Sequence, residues 1–404
     1  MHWIVLLIQW LVIDFIFFVN LSRIDRLNLM TKTSRILYID NIRIYLIALV
    51  VLHHLSITYG ALGSWYYNEV NGDMFTKMFL TMFTATNQSF FMALFFLISA
   101  YFTKISYDKK TTSSFIKDRL IRLGIPLLVY YFLLCPLTVY IAIKFTRGID
   151  LSFFDFIKAG KGFGFGPMWF VQVLIYFTII YLLYRKILNF KSQTRINLRA
   201  FPKGVQIVAF ALVIAIVSFV VRLWLPLGWE IKYLGLQLPY FPQYIAILII
   251  GLLFAKYNWF ESITYKQGMK WFLTAQVFII IVFPLIFYFG TSESGPEPFM
   301  GGWTWQSAVL SVWEQITGFA LMIGLIGIFK EKLSTQGKFA NQLSGAAYAV
   351  FILHPVVIVF LAVMMKGLHL YPVLKFILLA PVALISCFGI GIILKQIPII
   401  NKVL

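Results

Sequence analysis

Two adjacent histidines, His53 and His54, lie in the apolar stretch LIALVVLHHLSITYG of residues 46–60. An imidazole is costly to bury in hydrocarbon, and an ionisable side chain in such a stretch is by default a candidate for function. Histidine titrates near neutral pH and can take a proton from a hydroxyl group that attacks a substrate. The segment therefore predicts proton-transfer chemistry inside an apolar medium.

Helical spacing separates the two histidines. At 100° per residue, Arg43 and His54 point in directions that differ by only about 20°, and Asp40 falls on the same side. One helix face therefore carries an acid, a guanidinium and, roughly 16 Å further along, an imidazole. We expect Asp40 and Arg43 to form a buried ion pair that orients this catalytic face. His53 points about 100° away, and we expect it to be structural.

The amino-acid composition indicates the medium in which the chain folds. Of 404 residues, 61% are hydrophobic and 12% are charged, and the mean hydropathy is +0.86. Soluble domains do not need so much apolar surface. Apolar stretches of about 17–25 residues, long enough to cross a bilayer as helices, recur along the whole chain. They predict an all-α, polytopic integral membrane helix bundle with ten core transmembrane helices, near residues 38–59, 78–102, 120–143, 167–185, 204–224, 240–256, 270–289, 304–329, 344–365 and 374–396.

A further apolar run precedes these ten stretches, at residues 3–19, and it contains Asp14. It lacks a basic start and a small-residue cleavage site, and so it is a poor signal peptide. It is either an extra helix or an upstream extension of a chain that naturally starts at Met30. We therefore divide the chain into an N-terminal extension, residues 1–34, and a transmembrane domain, residues 35–404.

Lysine and arginine are unevenly distributed among the connections between the spans. Since cytoplasmic loops are enriched in these residues, the rich connections at 20–37, 103–119 and 185–203 are predicted to be cytoplasmic. The alternate connections at 60–77, 225–239 and 290–303 are poor in cations, whereas 144–166, with four, blurs the rule. This pattern predicts a multi-pass protein of the cell membrane with both ends of the ten-helix core in the cytoplasm.

The formal net charge of +19 follows from these basic loops, which face lipid headgroups. It does not indicate nucleic-acid binding. The only two cysteines, Cys135 and Cys387, both lie in predicted helices. The chain therefore offers no disulfide framework and no cysteine-based metal site, and we predict no metal.

The first core helix and four later segments share features with a known family. The stretch YIDNIRIYLIALVVLHH resembles the opening signature of the acyltransferase-3 family of membrane acyltransferases, an arginine followed by ten residues and a histidine. Arg43 and His54 stand at those two positions. The resemblance thus also selects His54 over His53 as the reactive histidine.

The other four segments follow in the family's order. FFMALFFLISAYF resembles its second-helix element, with Ala100 where glycine is usual, and RLIRLGIPLLVYYF contains its Arg-x-x-Arg element at Arg119 and Arg122. GPMWFVQVLIYF resembles a later helix start at Trp169, and YAVFILHPVVI resembles its His-Pro segment at His354. The resemblance covers about residues 36–365.

Arg119 and Arg122, three residues apart, present two guanidinium groups on one side of a helix. Such planar groups suit phosphate recognition, although they also serve as ordinary topology anchors. The resemblance implies that they bind the phosphates of cytosolic acyl-CoA, whose flexible arm would reach inward to His54. The imidazole of His54 would then act as a general base toward an acceptor hydroxyl or carry the acyl group as an acyl-imidazole.

Several further residues are candidates for the acceptor site. Glu314 is a second carboxylate at membrane depth, with a hydrogen bond to a facing helix as the alternative role. His354 precedes Pro355, and it either acts on the substrate or caps backbone groups that the proline frees. Aromatic side chains could stack on sugar rings or form membrane-interface belts; they are Trp65, Tyr66, Trp169, Trp303 and Trp305.

The resemblance implies a membrane O-acyltransferase that uses acyl-CoA, most simply acetyl-CoA, as a donor and holds no tightly bound cofactor. By analogy the acceptor is a hydroxyl of an envelope carbohydrate or a lipid-linked sugar outside the cytoplasm. The alternative is a transporter or flippase for a polar or glycan substrate, since ten helices with buried charges would also serve that function. The lack of matching Gly/Pro-broken helices in the two halves argues against it.

Overall fold

The computed structural model describes residues 35–70, 72–187, 199–291 and 295–403. The N-terminal extension and its candidate extra helix lie outside these residues. Within them, ten helices are long and apolar enough to cross a membrane, which confirms the predicted all-α bundle. They are α1 Leu37–Thr58, α2 Met74–Asp108, α3 Thr112–Arg147, α4 Gly166–Ile187, α5 Gly204–Arg222, α6 Leu238–Tyr257, α7 Tyr265–Thr291, α8 Trp305–Lys332, α9 Lys338–Met364 and α10 Pro372–Leu394. Four short helices lie outside these spans, at Phe153–Lys158, Trp259–Ser262, Glu297–Met300 and Pro398–Val403.

Helices α2 and α3 are longer than the apolar stretches that predict them, with 35 and 36 residues. At 1.5 Å per residue each is about 52 Å long, well beyond the roughly 30 Å of hydrocarbon. Capping side chains set where they begin. The Asp73 carboxylate accepts a hydrogen bond from the Thr76 amide at 2.9 Å, and the Thr111 hydroxyl caps α3 through the Ser114 amide.

Three π-helical turns interrupt the long helices. Two lie in α3, at Leu120–Gly124 and Tyr130–Leu134, and one lies in α7, at Phe278–Val282. Each ends two residues before a proline, namely Pro126, Pro136 and Pro284. Because proline has no amide hydrogen and its ring clashes with the preceding turn, the helix widens there. The first of these turns contains Arg122 of the Arg-x-x-Arg element.

Helix α1 forms the centre of the bundle. In its most apolar window 89% of the residues are buried, against 28% in α5 and α10. It packs against α2, α8, α9 and α10. The helix that carries the paired histidines is thus shielded from lipid by its neighbours, whereas α5 and α10 present apolar side chains outward.

Helices α2 and α6 approach closely where Ala100 replaces the family's usual glycine. The facing residue is Gly251, and a Cβ atom there would lie 2.6 Å from the Cβ of Ala100. A glycine on the opposite helix thus provides the space that a glycine at position 100 would provide.

Both ends of the ten-helix bundle lie on one side. Arg35, just before α1, and Lys395, just after α10, line the same cavity. An even number of membrane spans also places both ends of the bundle on the same side. We call this side the basic end, because Lys110 of the α2–α3 connection lines the same cavity. The start of α9 lies there too, since Arg35 donates to Asn341 and Ser344. We call the other side the opposite end.

Candidate active site

A cavity of about 670 Å³ opens at the basic end, and we call it the basic cavity. Its wall comes from α1, α2, α3, α4 and α9 together with the segment after α10. Six cationic side chains and two carboxylates line it: Arg35, Arg43, Lys110, Arg119, Arg122, Lys395, Asp40 and Asp118. The excess of positive charge makes this cavity suited to an anionic ligand.

The predicted pair of Asp40 and Arg43 is present. Arg43 Nη1 donates to Asp40 Oδ1 at 3.0 Å, while Arg35 Nε donates to the other carboxylate oxygen at 3.0 Å. The Arg43 guanidinium also lies 4.9 Å from the centre of the Phe102 ring. Asp40 is buried, whereas Arg43 is partly exposed to the cavity. The carboxylate thus holds two cations at the cavity wall.

Arg119 and Arg122, for which the resemblance implies phosphate binding, line the same cavity. Arg119 Nη2 donates to Thr103 Oγ1 at 2.8 Å, which anchors one guanidinium edge against α2. Partial burial and, secondly, the neighbouring cations Arg122 and Arg35 lower the pKa of Lys395. Cations that repel one another in this way gain stability when an anion binds among them.

A second cavity, of about 510 Å³, lies on the other side of the bundle centre, and we call it the histidine cavity. Both His53 and His54 line it, together with Trp169 of α4. The wall also contains aromatic and polar side chains from α2 and from the region of α6: Thr81, Thr84, Gln88, Glu230, Gln237, Tyr240 and Tyr244. An aromatic wall with a few polar groups is typical of a small-molecule site.

The histidine that the sequence favours has a defined tautomer. His54 Nδ1 lies 2.9 Å from the carbonyl oxygen of Val50. A carbonyl only accepts, so Nδ1 carries the hydrogen and Nε2 keeps its lone pair. Nε2 is therefore the atom of His54 that can take a proton or an acyl group.

Two aromatic side chains flank the His54 ring. The Trp65 indole stacks on it with ring centres 3.9 Å apart, and the His354 ring lies 5.0 Å away. Trp65 Nε1 and His354 Nε2 are buried and have no hydrogen-bond partner among the described residues. Buried polar atoms without partners are rare, and here two of them lie beside the candidate reactive group.

His354 also caps its own helix, which is one of its two predicted roles. Pro355 has no amide hydrogen to offer to the carbonyl of Phe351, four residues earlier. His354 Nδ1 donates to that carbonyl at 2.7 Å. As in His54, Nε2 is therefore left with the lone pair.

The connection of residues 59–73 carries Trp65 into the bundle, and tertiary contacts fasten it. The buried ammonium group of Lys375, on α10, pairs with the Glu69 carboxylate and donates to the Met365 carbonyl at 2.6 Å. Tyr371 donates to Asp73 at 3.1 Å. We call this connection the strap.

Tyr66 fixes the middle of the strap next to Trp65. Its hydroxyl lies 2.9 Å from that of Tyr130 and 3.3 Å from the sulfur of Cys135. A Cβ atom at Gly166 would lie 2.0 Å from the Tyr66 oxygen, so the close approach of α4 requires glycine. Tyr66 thus supports the strap on α3 and does not line the histidine cavity.

Two other predicted residues lie apart from His54. The Glu314 carboxylate pairs with Arg222 at 2.5 Å, and both are buried. This pair joins α8 to α5, and Tyr240 of the histidine cavity lies against Arg222. Trp303 is 84% exposed and packs on Phe219. Glu314 is thus held in an ion pair behind the cavity wall, and Trp303 lies at the surface.

The structure therefore divides the predicted site into two clusters. His54 and Trp169 line the histidine cavity, and Trp65 and His354 lie against the His54 ring beside it. Asp40, Arg43, Arg119 and Arg122 gather at the basic cavity. The part of the chain that the structure describes contains no group of three or more His, Cys, Asp or Glu side chains arranged to hold a metal ion.

Some residues at these clusters were not predicted. His53 lines the histidine cavity, although its helical angle indicated a structural position. Arg35 and Lys395 line the basic cavity; their charge and their places just outside the first and last spans were visible signals. Arg222, at the end of α5, gave a weaker signal as a cation next to an apolar run.

Comparisons with known proteins identify the family of this chain. The model of an acyltransferase domain family, acyltransferase-3, matches residues 36–394. The chain therefore belongs to that family of membrane acyltransferases.

Among curated proteins, the chain is similar to glucans biosynthesis protein C of Escherichia coli strain K12 and of strain O1:K1 / APEC. Each is 28% identical over 148 residues, which cover 35% of this chain and 37% of the relative. The chain thus matches little more than a third of the length of these relatives. No solved structure matches it.

Proposed function

We propose that this protein transfers an acyl group, most simply acetyl, from cytoplasmic acyl-CoA to a hydroxyl group of a carbohydrate on the other side of the membrane. The observation that carries the proposal is the pair of cavities on α1. A cation-lined cavity at one end and a histidine-lined cavity further along the same helix provide a donor site and an acceptor site.

The basic cavity is the proposed donor site, and the basic end is assigned to the cytoplasm. Coenzyme A carries phosphate groups, which guanidinium groups bind through short, charge-assisted hydrogen bonds. Arg119 and Arg122 lie in this cavity with four other cations. The lysine- and arginine-rich connections at this end favour the same orientation.

The arm of acyl-CoA would extend from the basic cavity toward His54. Arg43 and His54 are eleven residues apart on α1, a rise of roughly 16 Å. A bound phosphate and the reactive thioester of one donor molecule must be separated by a distance of this order. The two clusters of predicted residues are thus parts of one donor path.

His54 Nε2 is the proposed reactive atom. As a general base it takes the proton of the acceptor hydroxyl while the oxygen attacks the thioester carbonyl, and the C–S bond then breaks. The departing CoA thiolate recovers the proton from the imidazolium. In the acyl-carrier route Nε2 itself attacks the thioester carbonyl and the C–S bond breaks, so that CoA leaves as a thiolate. The acceptor hydroxyl then displaces the imidazole, and its proton goes to the CoA thiolate.

The histidine cavity is the proposed acceptor site. Trp169 and Tyr244 stack at 5.6 Å and Tyr240 stacks on Tyr244 at 6.3 Å, which forms a flat aromatic wall. Flat rings beside polar groups such as Gln88 suit a sugar, whose faces are apolar and whose rim carries hydroxyl groups. The name of the similar Escherichia coli protein refers to glucans, and a glucan is the acceptor we propose to test first.

The transporter alternative receives less support. A carrier for a polar substrate needs no histidine with a free lone pair beside an anion-binding cavity, and the family to which the chain belongs is one of acyltransferases.

The test uses purified protein in proteoliposomes with radiolabelled acetyl-CoA and glucose oligosaccharides. We expect free CoA to be released and label to appear on the sugar, and we expect neither with the His54→Ala variant. Label on the sugar without His54, or no thioester consumption by the wild type, would contradict the proposal. CoA release without labelled sugar would retain the transfer chemistry and exclude the glucan acceptor.

A further inference from the structure

Phe351, on α9, is the one described residue that lines both the basic cavity and the histidine cavity. Its side chain is almost fully buried, with 4% exposed. The two cavities therefore meet at this ring, and the ring belongs to the wall that separates them.

On two other helices, residues that line the two cavities lie within one turn of each other. On α1, Ile47 lines the basic cavity, and Val50, one turn later, lines the histidine cavity. On α4 the change occurs between Phe170 and Trp169. The wall is thus a thin apolar layer, about one helical turn deep, with Phe351 at its centre.

Aromatic contacts hold the Phe351 ring in this layer. Its centre lies 5.8 Å from that of Phe170, nearly perpendicular to it, and 5.9 Å from that of His354. The Phe351 carbonyl is the group that Pro355 leaves free and that His354 Nδ1 binds. The backbone at Phe351 is therefore held by a side chain that belongs to the His54 cluster, in place of the usual helical hydrogen bond.

We propose that Phe351 is the specificity-determining residue for the acyl group. The inference rests on the proposed function, because it takes the basic cavity as the donor site and His54 as the reactive group. A donor held by its phosphates in the basic cavity brings its thioester to His54 with the acyl group packed beside the Phe351 ring. The space beside this ring holds a two-carbon acetyl group in the wild-type protein, and a longer chain does not fit.

The test compares acetyl-CoA with butyryl-CoA as donors in proteoliposomes, with glucose oligosaccharides as acceptor and CoA release as the readout. Against a tight apolar wall, added methylenes change kcat/KM by about tenfold or more. We expect the butyryl-to-acetyl ratio of kcat/KM to rise at least about tenfold in Phe351→Ala and by less in Phe351→Leu. CoA affinity, measured separately, should be retained in both variants, since the cations of the basic cavity are unchanged.

Ile105→Ala is the matched control. Ile105 lines the basic cavity and does not line the histidine cavity, so its truncation enlarges the donor site away from the wall at Phe351. Its butyryl-to-acetyl ratio should stay at the wild-type value. A loss of selectivity in Ile105→Ala equal to that in Phe351→Ala would assign selectivity to cavity volume and overturn the inference.

The outcomes separate the inference from the function on which it rests. If the wild type consumes neither donor, the proposed function fails, and the role of Phe351 fails with it. If the wild type consumes acetyl-CoA and the ratio does not change in either Phe351 variant, only the inference fails. If Phe351→Ala no longer binds CoA, the butyryl-to-acetyl ratio of the more conservative variant Phe351→Leu decides whether the inference holds. Equal use of both donors by the wild type would also contradict the inference.

Discussion

At the scale of single residues, the proposed reaction depends on which nitrogen of His54 is free. The hydrogen bond from Nδ1 to the Val50 carbonyl fixes the tautomer and leaves Nε2 available for the proposed chemistry. His53 lines the same cavity, but its Nδ1 has no hydrogen-bond partner among the residues that the structure describes. The two adjacent histidines thus differ in orientation and in hydrogen bonding.

Separate substitution of the two histidines tests this difference. We expect His54→Ala to lower the rate of acyl transfer by about 10²-fold or more, because a positioned proton acceptor commonly contributes that much. His53→Ala should keep a substantial part of the activity. Both variants should be extracted from membranes in wild-type amounts. If both variants lose the same share of acyl-transfer activity, or if His54→Ala remains active, the paired histidines serve only to pack the helix and His54 is not the reactive group.

The two arginines of the basic cavity make a second prediction. Replacing Arg119 and Arg122 with glutamine removes charge-assisted contacts worth about 1.5–3 kcal/mol each, so acyl-CoA affinity should fall at least about tenfold. Isothermal titration with desulfo-CoA measures this without turnover. Lys117→Gln is the control, since Lys117 lies on the same helix, is exposed and does not line the cavity. An equal loss of affinity in the control would indicate a general charge effect in place of a phosphate site.

Residue spacing predicted one part of the site and missed another. The pair of Asp40 and Arg43 and the face that leads to His54 follow from helical periodicity within α1, which is local. The strap was not predictable, because Glu69 and Lys375 are 306 residues apart in the chain and only the packed bundle brings them together. Phe351, one phenylalanine among 41, was not predicted either. It lies in the segment YAVFILHPVVI, but nothing in that segment shows that its ring lies between two cavities.

At the scale of elements, hydropathy located all ten spans but not their ends. The apolar run of α2 predicts residues 78–102, whereas the helix is Met74–Asp108. Its additional turns are polar, and they are set by the Asp73 cap and by the Lys104–Asp108 ion pair at 2.7 Å. A helix can thus continue into polar surroundings where hydropathy no longer indicates it.

At this scale, the ion pair that fastens the strap to α10 gives a testable prediction. In Lys375→Met the Glu69 carboxylate loses its buried partner, and a broken buried ion pair costs about 3–5 kcal/mol. We expect the strap to leave α10, Trp65 to leave His54 and acyl transfer to fall. CoA affinity should be unchanged, because the basic cavity lies at the other end of the bundle.

Two further variants control this experiment. Lys366→Met removes an exposed lysine of the neighbouring connection and should behave as wild type. The double variant Glu69→Met with Lys375→Met removes both charges and should recover part of the lost activity, since the uncompensated charge is gone. If the double variant is as impaired as Lys375→Met alone, the loss of activity does not come from the unpaired Glu69 carboxylate.

At the scale of the whole molecule, the two ends of the bundle differ in charge and in the cavity they carry. The basic end brings together the start of α1 and the end of α10, and the strap covers the region of His54 from the opposite end. The proposed function requires that these two ends face different compartments.

Cysteine labelling tests this orientation. Lys338, at the start of α9 on the basic end, and Lys232, in the connection between α5 and α6 on the opposite end, are both exposed. In intact cells a membrane-impermeant thiol reagent should label Lys232→Cys and should label Lys338→Cys only after the membrane is opened. The wild type serves as the negative control and should not be labelled, because both native cysteines are buried. The reverse pattern would place the basic cavity outside the cytoplasm.

The most direct test of the account is sided transfer in sealed proteoliposomes. Vesicles sorted so that the basic end faces outward receive labelled acetyl-CoA outside and contain trapped glucose oligosaccharides. We predict that label appears on the trapped sugar, that vesicles of the opposite orientation give none, and that His54→Ala vesicles give none in either orientation. Transfer that does not depend on orientation, or transfer that occurs only when donor and acceptor are on the same side, would contradict a reaction path from the basic cavity to His54.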